Sequence, residues 1–456
     1  MNELANSAAR RDIDFQIHPQ THLRRHRETG PSIFVKGDGV RVIDDDGRDY
    51  FETVSGLWCA ALGFSANERV ARVAYDQMRR LGYYHSYRHR ANHPSIDLAE
   101  TLIRLAPVPM SKVLFFCSGS EANDTAVKLA WYYHHAIGKP EKRKIIGRTM
   151  GYHGSTIGAI SIAGKPEMHA DFNLPLPDFR HTDMPHYYRF AEDGESEEQY
   201  ATRLADNLEK LILEEGPETV AAFFAEPVMG AGGGVVPPAT YFEKVQAVLR
   251  RHEVLFVADE VICGFGRTGN WWGSQTYDLK PDMISSAKAL SAAYQPISAL
   301  MVNEKIYQAM LTQSDRLGGF NHGSTYSGHP VAAAVAQEVI NIYEEMDIIG
   351  HIGDVGPYMI RQLETVKDHP LVGDVRGVGL LTGIELVKDK ATRTLYDPAV
   401  GVGQRMDANG HKNGLILRII GDRIAFAPPL VIERTDIDEI VERFKRTLDE
   451  TWAELG

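Results

Sequence analysis

Short apolar runs that alternate with helical patterns constrain this chain more than any other feature of its sequence. The runs are Lys112–Phe116, Lys144–Gly147, Val220–Phe224, Val254–Ala258, Met283–Ser286 and Ser298–Val302. Several are apolar at successive positions, which indicates strands buried on both faces, as in a mostly parallel sheet. Helical stretches between them, such as Asn123–Ala136, predict a large α/β layered domain.

The two ends of the chain show a different pattern. Short strands are predicted within residues 32–62, and the last third combines a long helix, two pairs of strands and a closing amphipathic helix over Ile437–Leu455. A length of 456 residues suits one large domain with a satellite. We therefore expect residues 61–329 to form the large domain, with residues 1–60 and 330–456 forming a smaller α+β unit.

Charge and cysteine content exclude several classes of protein. Lys and Arg number 49 and Asp and Glu 61, so the net charge is −12, which disfavours binding to the phosphates of nucleic acids. Three cysteines without metal-type spacing predict free thiols in a reducing compartment. The most apolar stretch, Val220–Val236, is interrupted by Glu226 and Pro227, which argues against a membrane span. Because Met1–Leu4 leads into Arg10 and Arg11 without an apolar run, we expect no signal peptide and a cytoplasmic protein.

The segment Ser118–Asn123 follows a predicted strand and opens a predicted helix. Ser118 and Glu121 have the spacing of a capping box, and the N–H groups of a first helical turn have no partner within the helix. Such a turn can bind a phosphate, although a well-capped helix without a ligand gives the same pattern.

Two charged residues follow later strands. Asp259 stands at the carboxyl end of Val254–Ala258, where open α/β sheets bind ligands, although a structural ion pair with Arg267 would explain it equally well. Lys288 lies among small uncharged residues and is either a solvated loop charge or a desolvated amine able to form a Schiff base. The run Gly264–Gly269 matches the dinucleotide pattern G-x-G-x-x-G, but a poor helix follows it, which favours a flexible loop.

A metal site is not expected from the histidines His85, His89 and His93. Although each of these histidines is four residues from the next, Arg88 and Arg90 would repel a cation, and no acidic ligand lies between them.

An anion pocket, an acid for a pyridine nitrogen and a lysine for an aldehyde are the three requirements of pyridoxal phosphate. At these positions the sequence resembles the class III pyridoxal-phosphate aminotransferases, in the omega-amino acid or amine:pyruvate transaminase branch. The matching stretches are Ser118–Glu121, Gly151–Thr156, Glu226–Pro227, Val257–Gly269, Lys288 and His322–Pro330. The resemblance extends from about Gly30 to Leu448, and it makes the G-x-G-x-x-G match part of the aminotransferase motif.

The resemblance implies a fold-type I architecture and a role for each matching residue. Lys288 would hold the cofactor aldehyde and move the proton during transfer, and Asp259 would pair with the pyridine nitrogen. Tyr152 and Val261 would cover the two ring faces, and Thr325 would reach the phosphate bound by the other subunit of a homodimer. The other implied cofactor contacts are Ser118, Gly119, Ser120, His153 and Glu226.

Substrate contacts are implied at five further positions, Leu57, Trp58, Tyr87, Ser324 and Arg418. Arg418 matches a mobile arginine that binds a substrate carboxylate, and Glu226 could hold it when no carboxylate is bound. Ser324 departs from several relatives, which carry an aromatic residue there, so the substrate range is left open. For Tyr152, Val261 and Trp58, plain core packing is the alternative that their residue type alone would favour.

The predicted activity is a ping-pong transamination that moves an amino group from an amine or omega-amino acid to a keto acid, with pyruvate expected. The predicted assembly is a homodimer with shared active sites, which could pair into a tetramer. Two alternatives stay open: other pyridoxal-phosphate chemistry on the same fold, such as an aminomutase, racemase or decarboxylase, and a nicotinamide oxidoreductase that uses the Gly264 loop.

Overall fold

The N-terminal part of the protein combines two short helices with a small antiparallel sheet. The structure, a computed structural model, describes residues 7–456, so Met1–Leu4, where no signal peptide was expected, lies outside the described residues. The first elements are α1 (Ala8–Phe15), α2 (Leu23–Thr29), β1 (Phe34–Asp38), β2 (Arg41–Asp44), β3 (Asp49–Glu52), α3 (Ser55–Trp58), α4 (Glu68–Leu81) and α5 (His93–Leu105). Tight turns at Gly39 and Gly47, both with positive φ, connect β1 to β2 and β2 to β3.

A seven-stranded sheet forms the centre of the protein. Its strands are β4 (Lys112–Phe116), β5 (Lys144–Arg148), β6 (Phe179–Thr182), β7 (Val220–Ala225), β8 (Leu255–Asp259), β9 (Met283–Ser286) and β10 (Ser298–Val302). Their spatial order is β4-β10-β9-β8-β7-β5-β6, and β10 alone runs against its neighbours. The mostly parallel sheet expected from the sequence is confirmed. The sequence did not predict β6, because this edge strand carries half-buried Arg180 and His181 in place of an apolar run.

Helices cover both faces of this sheet. They are α6 (Gly119–Ala136), α7 (Ile157–Ile162), α8 (Pro166–His169), α9 (Tyr187–Phe190), α10 (Glu197–Glu215), α11 (Tyr241–Arg251), α12 (Gly273–Thr276) and α13 (Glu304–Leu317). Every residue of β7 and β8 is buried, and neighbouring residues belong to different cores: Phe223 packs with residues of α10 and α11, and Phe224 with residues of α6. Burial on both faces explains why these strands read as continuous apolar runs.

The C-terminal third returns to the N-terminal sheet. Its elements are α14 (Pro330–Glu345), α15 (Ile348–Glu364), β11 (Val372–Val378), β12 (Leu381–Leu386), α16 (Val402–Lys412), β13 (Leu415–Ile416), β14 (Arg418–Ile420), β15 (Arg423–Phe426) and α17 (Arg434–Leu455). β11, β12, β15 and β14 form one antiparallel sheet, while β13 pairs with β3 in parallel. Strands from the two ends of the chain therefore share one sheet, as a single small α+β unit requires. The domain boundaries at residues 60 and 330 stay a prediction. Across residues 7–456, no helix has the length and apolar character that crossing a membrane would need.

Candidate active site

Asp259 ends β8 and lies at the carboxyl edge of the large sheet. Its side chain is buried, and one oxygen, Oδ2, accepts hydrogen bonds from Asn123 Nδ2 and His153 Nδ1, both at 2.8 Å. The other oxygen accepts the backbone N–H of Val261 at 3.0 Å. Three donors hold this carboxylate in one orientation and compensate the cost of burying its charge. On the opposite side, the neighbouring Glu260 binds the start of α12, so of the two acids only Asp259 lines the cavity described below.

The ion pair between Asp259 and Arg267 that the sequence left open does not form. The buried guanidinium of Arg267 instead donates to the carbonyls of Leu380 at 3.2 Å and Pro428 at 2.6 Å, and to Ser55 Oγ at 3.2 Å. Arg267 thus ties the Gly264–Gly269 turn to both parts of the small unit. Because this turn opens no helix that could bind a pyrophosphate, the nicotinamide alternative gains no support.

Lys288 follows β9 and faces the same cavity as Asp259. Its backbone has φ 49°, a left-handed conformation that is uncommon for lysine and that is retained mainly at functional sites. Burial lowers the pKa of the Lys288 amine, and the nearby charge of Asp259 only partly opposes this shift. A lowered pKa increases the fraction of neutral amine, which is the nucleophilic form.

A cavity of about 360 Å³ joins these two residues to the first turn of α6. Nine of the residues expected to contact the cofactor line it: Ser118, Gly119, Ser120, Tyr152, His153, Glu226, Asp259, Val261 and Lys288. Six expected residues do not line it: Leu57, Trp58, Tyr87, Ser324, Thr325 and Arg418. A wider cleft of about 870 Å³ between β3, α16 and α17 contains none of the residues expected in the active site, and charges on its wall, such as Arg443 and Glu439 of α17, pair with each other.

The first turn of α6 offers an anion site at one end of the cavity. Ser118 caps the helix, since its Oγ accepts the N–H of Glu121 at 3.3 Å, while Glu121 Oε2 accepts the N–H of Cys117 at 2.9 Å. The N–H groups of Gly119 and Ser120 have no acceptor within the helix, and the helix dipole favours an anion in front of them. The hydroxyl oxygen of Ser120 accepts the N–H of Ser155 at 3.0 Å, which fixes this serine beside the cavity.

The cavity walls are formed by Val261 on one side and Tyr152 on another. A Cβ at Gly119 would lie 2.9 Å from Val261 Cγ2, so only glycine allows the helix start to approach this valine. The hydroxyl of Tyr152 is hydrogen-bonded to Ser155 Oγ at 3.0 Å, and its N–H donates to Glu226 Oε1 at 3.2 Å. Both side chains are held against the cavity.

Glu226 does not hold Arg418, contrary to the expectation from the sequence. Its two carboxylate oxygens accept the backbone N–H groups of Tyr152, at 3.2 Å, and of Gly230, at 3.1 Å. Burial raises the pKa of Glu226. This glutamate therefore orders the two loops that carry Tyr152 and Gly230.

Trp58 lies between Lys288 and Arg418. Its ring centre is 5.8 Å from Lys288 Nζ and 5.5 Å from Arg418 Cζ, and its indole Nε1 is buried without a hydrogen-bond partner among residues 7–456. Ser55, Gly56 and Trp58 all have positive φ, so the turn before Trp58 is strained. Glu52, which the sequence analysis did not single out, stabilises this turn, since its Oε2 accepts the N–H groups of Val54, at 3.3 Å, and Gly56.

The remaining expected substrate residues lie on the surface of the chain. Leu57 is 56% exposed and Tyr87 43% exposed. Tyr87 approaches Gly323, beside Ser324, and the Tyr83 hydroxyl donates to the carbonyl of Thr325 at 2.7 Å. Tyr87, Ser324 and Thr325 therefore lie close together, exposed or half-buried, outside the cavity that Lys288 lines.

Asn123 is the functional candidate that the sequence analysis missed. Its Nδ2 bonds both Asp259 and the carbonyl of His153, the latter at 2.7 Å, and joins the two motifs. Its position one turn after Gly119 and Ser120 places it on the inward face of α6, a signal that a helical count could have found. Among the described residues, His85, His89 and His93 do not lie together as a group of possible metal ligands.

The cavity fits pyridoxal phosphate. It provides an oriented carboxylate for a protonated nitrogen, an amine with a lowered pKa and a helix start for a phosphate. Asn123 Oδ1 and His153 Nε2 are buried without a hydrogen-bond partner in the described chain, so the wall around Asp259 keeps unused polar atoms.

Comparisons with known proteins agree with this assignment. A family model described as Aminotransferase class-III matches residues 24–448. The gamma aminobutyrate transaminase 3, chloroplastic, of Solanum lycopersicum is 47% identical over 423 residues, which cover 92% of this chain and 81% of the relative. The gamma-aminobutyrate transaminase 1, mitochondrial, of Oryza sativa subsp. indica is 48% identical over 436 residues, covering 95% and 84%.

The solved structures include an omega transaminase from Pseudomonas jessenii in complex with PMP. Its sequence is 49% identical to this chain, the structural alignment covers 99% of each of the two chains, and the TM-score is 0.97. The chain therefore belongs to the class III aminotransferases, and it is a pyridoxal-phosphate enzyme that transfers amino groups to a keto acid.

Proposed function

We propose that this aminotransferase takes its amino group from an amine or omega-amino acid and passes it to pyruvate in a ping-pong reaction. Arg418 carries this proposal. Its Nε is buried and has no hydrogen-bond partner among the described residues, although a guanidinium commonly binds a carboxylate through two parallel bonds. A half-buried guanidinium beside Trp58, without a hydrogen-bond partner among the described residues, favours a carboxylate that arrives with the substrate.

Trp58 supports the second part of the proposal, that donors without a carboxylate also bind. Its ring lies between Lys288 and Arg418 and offers an apolar surface to an alkyl or aryl substituent. The names of the relatives bear on the other part of the proposal, the omega-amino acid donors, since the tomato and rice proteins are named gamma-aminobutyrate transaminases, whose donor carries a carboxylate, and the Pseudomonas jessenii protein is named an omega transaminase.

The chemistry at the amino group is assigned to Lys288 and Asp259. Pyridoxal phosphate, when bound, supplies an aldehyde that reacts with amines and a ring that accepts electrons. The desolvated Lys288 amine would hold the aldehyde in the resting enzyme and then move a proton to and from the substrate carbon. Asp259, fixed by Asn123 and His153, would keep the ring nitrogen protonated.

The remaining roles follow from position in the cavity. Gly119 and Ser120 would donate to the phosphate at the start of α6, with Ser118 capping the helix behind them. Val261 and Tyr152 would cover the faces of the ring, and Glu226 would hold the loop of Tyr152.

We further propose that the exposed group around Tyr87, Ser324 and Thr325 completes the active site of a second copy of the chain. These residues are held together by contacts such as Tyr83 to Thr325, yet they lie outside the cavity of their own chain. A homodimer with two shared sites would use them, and pairing of two dimers into a tetramer is compatible with this arrangement.

Cytoplasmic location remains a proposal, supported by three free cysteines.

A donor panel with pyruvate as acceptor tests the proposal. 4-Aminobutyrate, β-alanine and a simple arylalkyl amine, which has a hydrogen on the carbon that bears the amino group, are supplied in turn, and alanine formation is measured. Alanine should form with at least one omega-amino acid and with the arylalkyl amine. If no donor yields alanine from pyruvate, the acceptor is wrong. Loss of the donor without stoichiometric alanine would favour the alternatives on this fold: an aminomutase, a racemase or a decarboxylase.

A further inference from the structure

A cluster of three possible metal ligands lies on the N-terminal segment, outside the active site. His18 Nε2 lies 2.9 and 3.0 Å from the two carboxylate oxygens of Asp12, and His26 Nε2 lies 2.9 Å from Asp12 Oδ2. All of these atoms lie within 4.8 Å of one another, and the two imidazole rings are 4.4 Å apart. The three side chains are between 11% and 29% exposed, so they face one another and largely avoid solvent.

The segment that carries this cluster has no hydrophobic core. Neither α1 nor α2 has a buried residue, and Phe15 and Ile17 are 86% and 82% exposed. Among the described residues, every hydrogen bond made by residues 7–30 stays within that segment. Helices of eight and seven residues are too short to be stable alone in water. Small units without a core usually depend on a metal, a disulfide or a partner chain, and no disulfide is available to this segment because it contains no cysteine.

From this geometry we infer that Asp12, His18 and His26 form a binding site for a divalent transition-metal ion of the zinc class, which holds α1 against α2. Two imidazole nitrogens and one carboxylate are ligands typical of zinc, and they do not suit calcium or magnesium, which prefer oxygen. Water would complete the coordination, because these residues approach from one side. The metal would replace the Nε2 protons, and each neutral ring would then carry its proton on Nδ1.

The surroundings limit the expected affinity. The guanidiniums of Arg11, Arg24, Arg25 and Arg27 belong to the same segment and oppose the approach of a cation, while Arg10 is paired with Asp14. We therefore expect zinc to bind in the micromolar range, more weakly than at a closed four-ligand zinc site.

Equilibrium dialysis of the tag-free holoenzyme against zinc tests the site. The metal content per chain is compared between the wild type and the double variant His18→Ala/His26→Ala, with Asp12→Asn as a second variant. His22→Ala is the matched control, because His22 caps α2 through its Nδ1, 3.2 Å from the N–H of Arg25, and lies outside the cluster. The wild type and the control should hold one zinc ion per chain more than the other two proteins, also in the presence of excess magnesium.

Limited trypsin digestion gives a second readout that does not depend on activity. Zinc should slow cleavage after the arginines of residues 10–27 several-fold in the wild type and in His22→Ala, and it should leave the double variant unchanged. Equal zinc content in the wild type and the double variant would overturn the proposal and leave a cluster held by hydrogen bonds alone. Zinc binding that magnesium abolishes would also contradict it.

Discussion

The active-site region has an inner end, around Asp259 and Lys288, and an outer end, around Trp58 and Arg418. The polar groups of the inner end find their partners within one chain, whereas those of the outer end do not. At the inner end, the Asp259 carboxylate has three hydrogen-bond donors at 2.8 to 3.0 Å. At the outer end, Arg418 Nε and Trp58 Nε1 are buried without partners in the described chain, and Leu57 and Tyr87 are exposed. A polar network in which every group has a hydrogen-bond partner fixes one geometry, whereas groups without partners can bind different ligands. The inner end therefore determines the reaction, and the outer end leaves room for substrate choice and for a second subunit.

Replacement of Lys288 should have the largest effect on activity. Lys288→Ala removes the amine that would bind the aldehyde and move the proton, so multiple turnover should fall to background while the phosphate site can still retain the cofactor. Lys165→Met is the matched control, because Lys165 is also buried, with a pKa lowered by burial, but does not line the cavity. Steady-state alanine formation is the measurement. Near-normal turnover in Lys288→Ala would contradict the role of the inner end.

Asp259→Asn should lower the rate of the first half-reaction by orders of magnitude, although by less than the loss of Lys288. The amide no longer favours a protonated ring nitrogen, while its size preserves the fold. The measurement is the single-turnover rate of this half-reaction, observed through the absorbance of the cofactor. A loss of less than about tenfold, or about 1.4 kcal/mol, would show that Asp259 is a structural residue.

Arg418→Ala should affect donors that carry a carboxylate and spare donors that do not. A charge-assisted contact is worth about 1.5–3 kcal/mol, so donors with a carboxylate should lose about tenfold to a hundredfold in kcat/KM. Amines without a carboxylate make no such contact, and their half-reaction should be unchanged or faster. Single-turnover rates with alanine and with an arylalkyl amine provide the comparison. Equal losses for both would mean that Arg418 has a structural role.

Thr325→Ala tests whether a second chain contributes to the outer end. Loss of one phosphate donor should weaken cofactor retention by a smaller factor, and cofactor loss on dilution should coincide with dissociation into monomers. Sedimentation and cofactor absorbance are measured over the same dilution series. A monomer that keeps its cofactor and full activity would exclude a shared site.

Glu52→Gln should have the smallest effect on activity and a clear effect on the pH dependence of stability. Burial raises the pKa of Glu52 from 4.5 to about 8, against the opposing effect of the N–H groups of Gly56 and Val54. Because the folded state holds this proton more tightly than the unfolded state, the contribution of Glu52 to stability is complete below pH 4.5 and is lost as the pH rises towards 8.

Glutamine cannot ionise, so the free energy of unfolding of Glu52→Gln relative to the wild type should increase between about pH 5 and 8, by at most about 1.4 kcal/mol per pH unit. Denaturant unfolding at several pH values is the measurement. A difference between the two proteins that does not change with pH would show that Glu52 is ionised in the folded protein throughout this range.

The sequence predicted the sheet and the inner end better than the outer end, for physical reasons. Strands buried on both faces, such as β7 and β8, must be apolar throughout, so their pattern is visible without a structure. Asp259 and Lys288 stand directly after such strands, and topology alone brings them together. Asn123 was missed, because its role depends on which face of α6 points inward.

The outer end depends on contacts between distant segments, which no local pattern encodes. Glu226 was a possible partner of Arg418 in the sequence, but its carboxylate accepts two backbone N–H groups, while Arg418 lies beside the Trp58 ring. The role of Arg267 was equally hidden, because its acceptors Leu380 and Pro428 are more than 100 residues away in sequence.

The central claim is that Lys288, facing Asp259, is the lysine that binds the cofactor aldehyde. Borohydride reduction of the holoenzyme followed by peptide mass mapping tests it most directly, because reduction makes the bond between cofactor and lysine permanent. Two other buried lysines, Lys142 and Lys165, also have a pKa lowered by burial and serve as internal controls. The pyridoxyl label should be found on Lys288 alone. A label on Lys142 or Lys165, or none on Lys288, would contradict it.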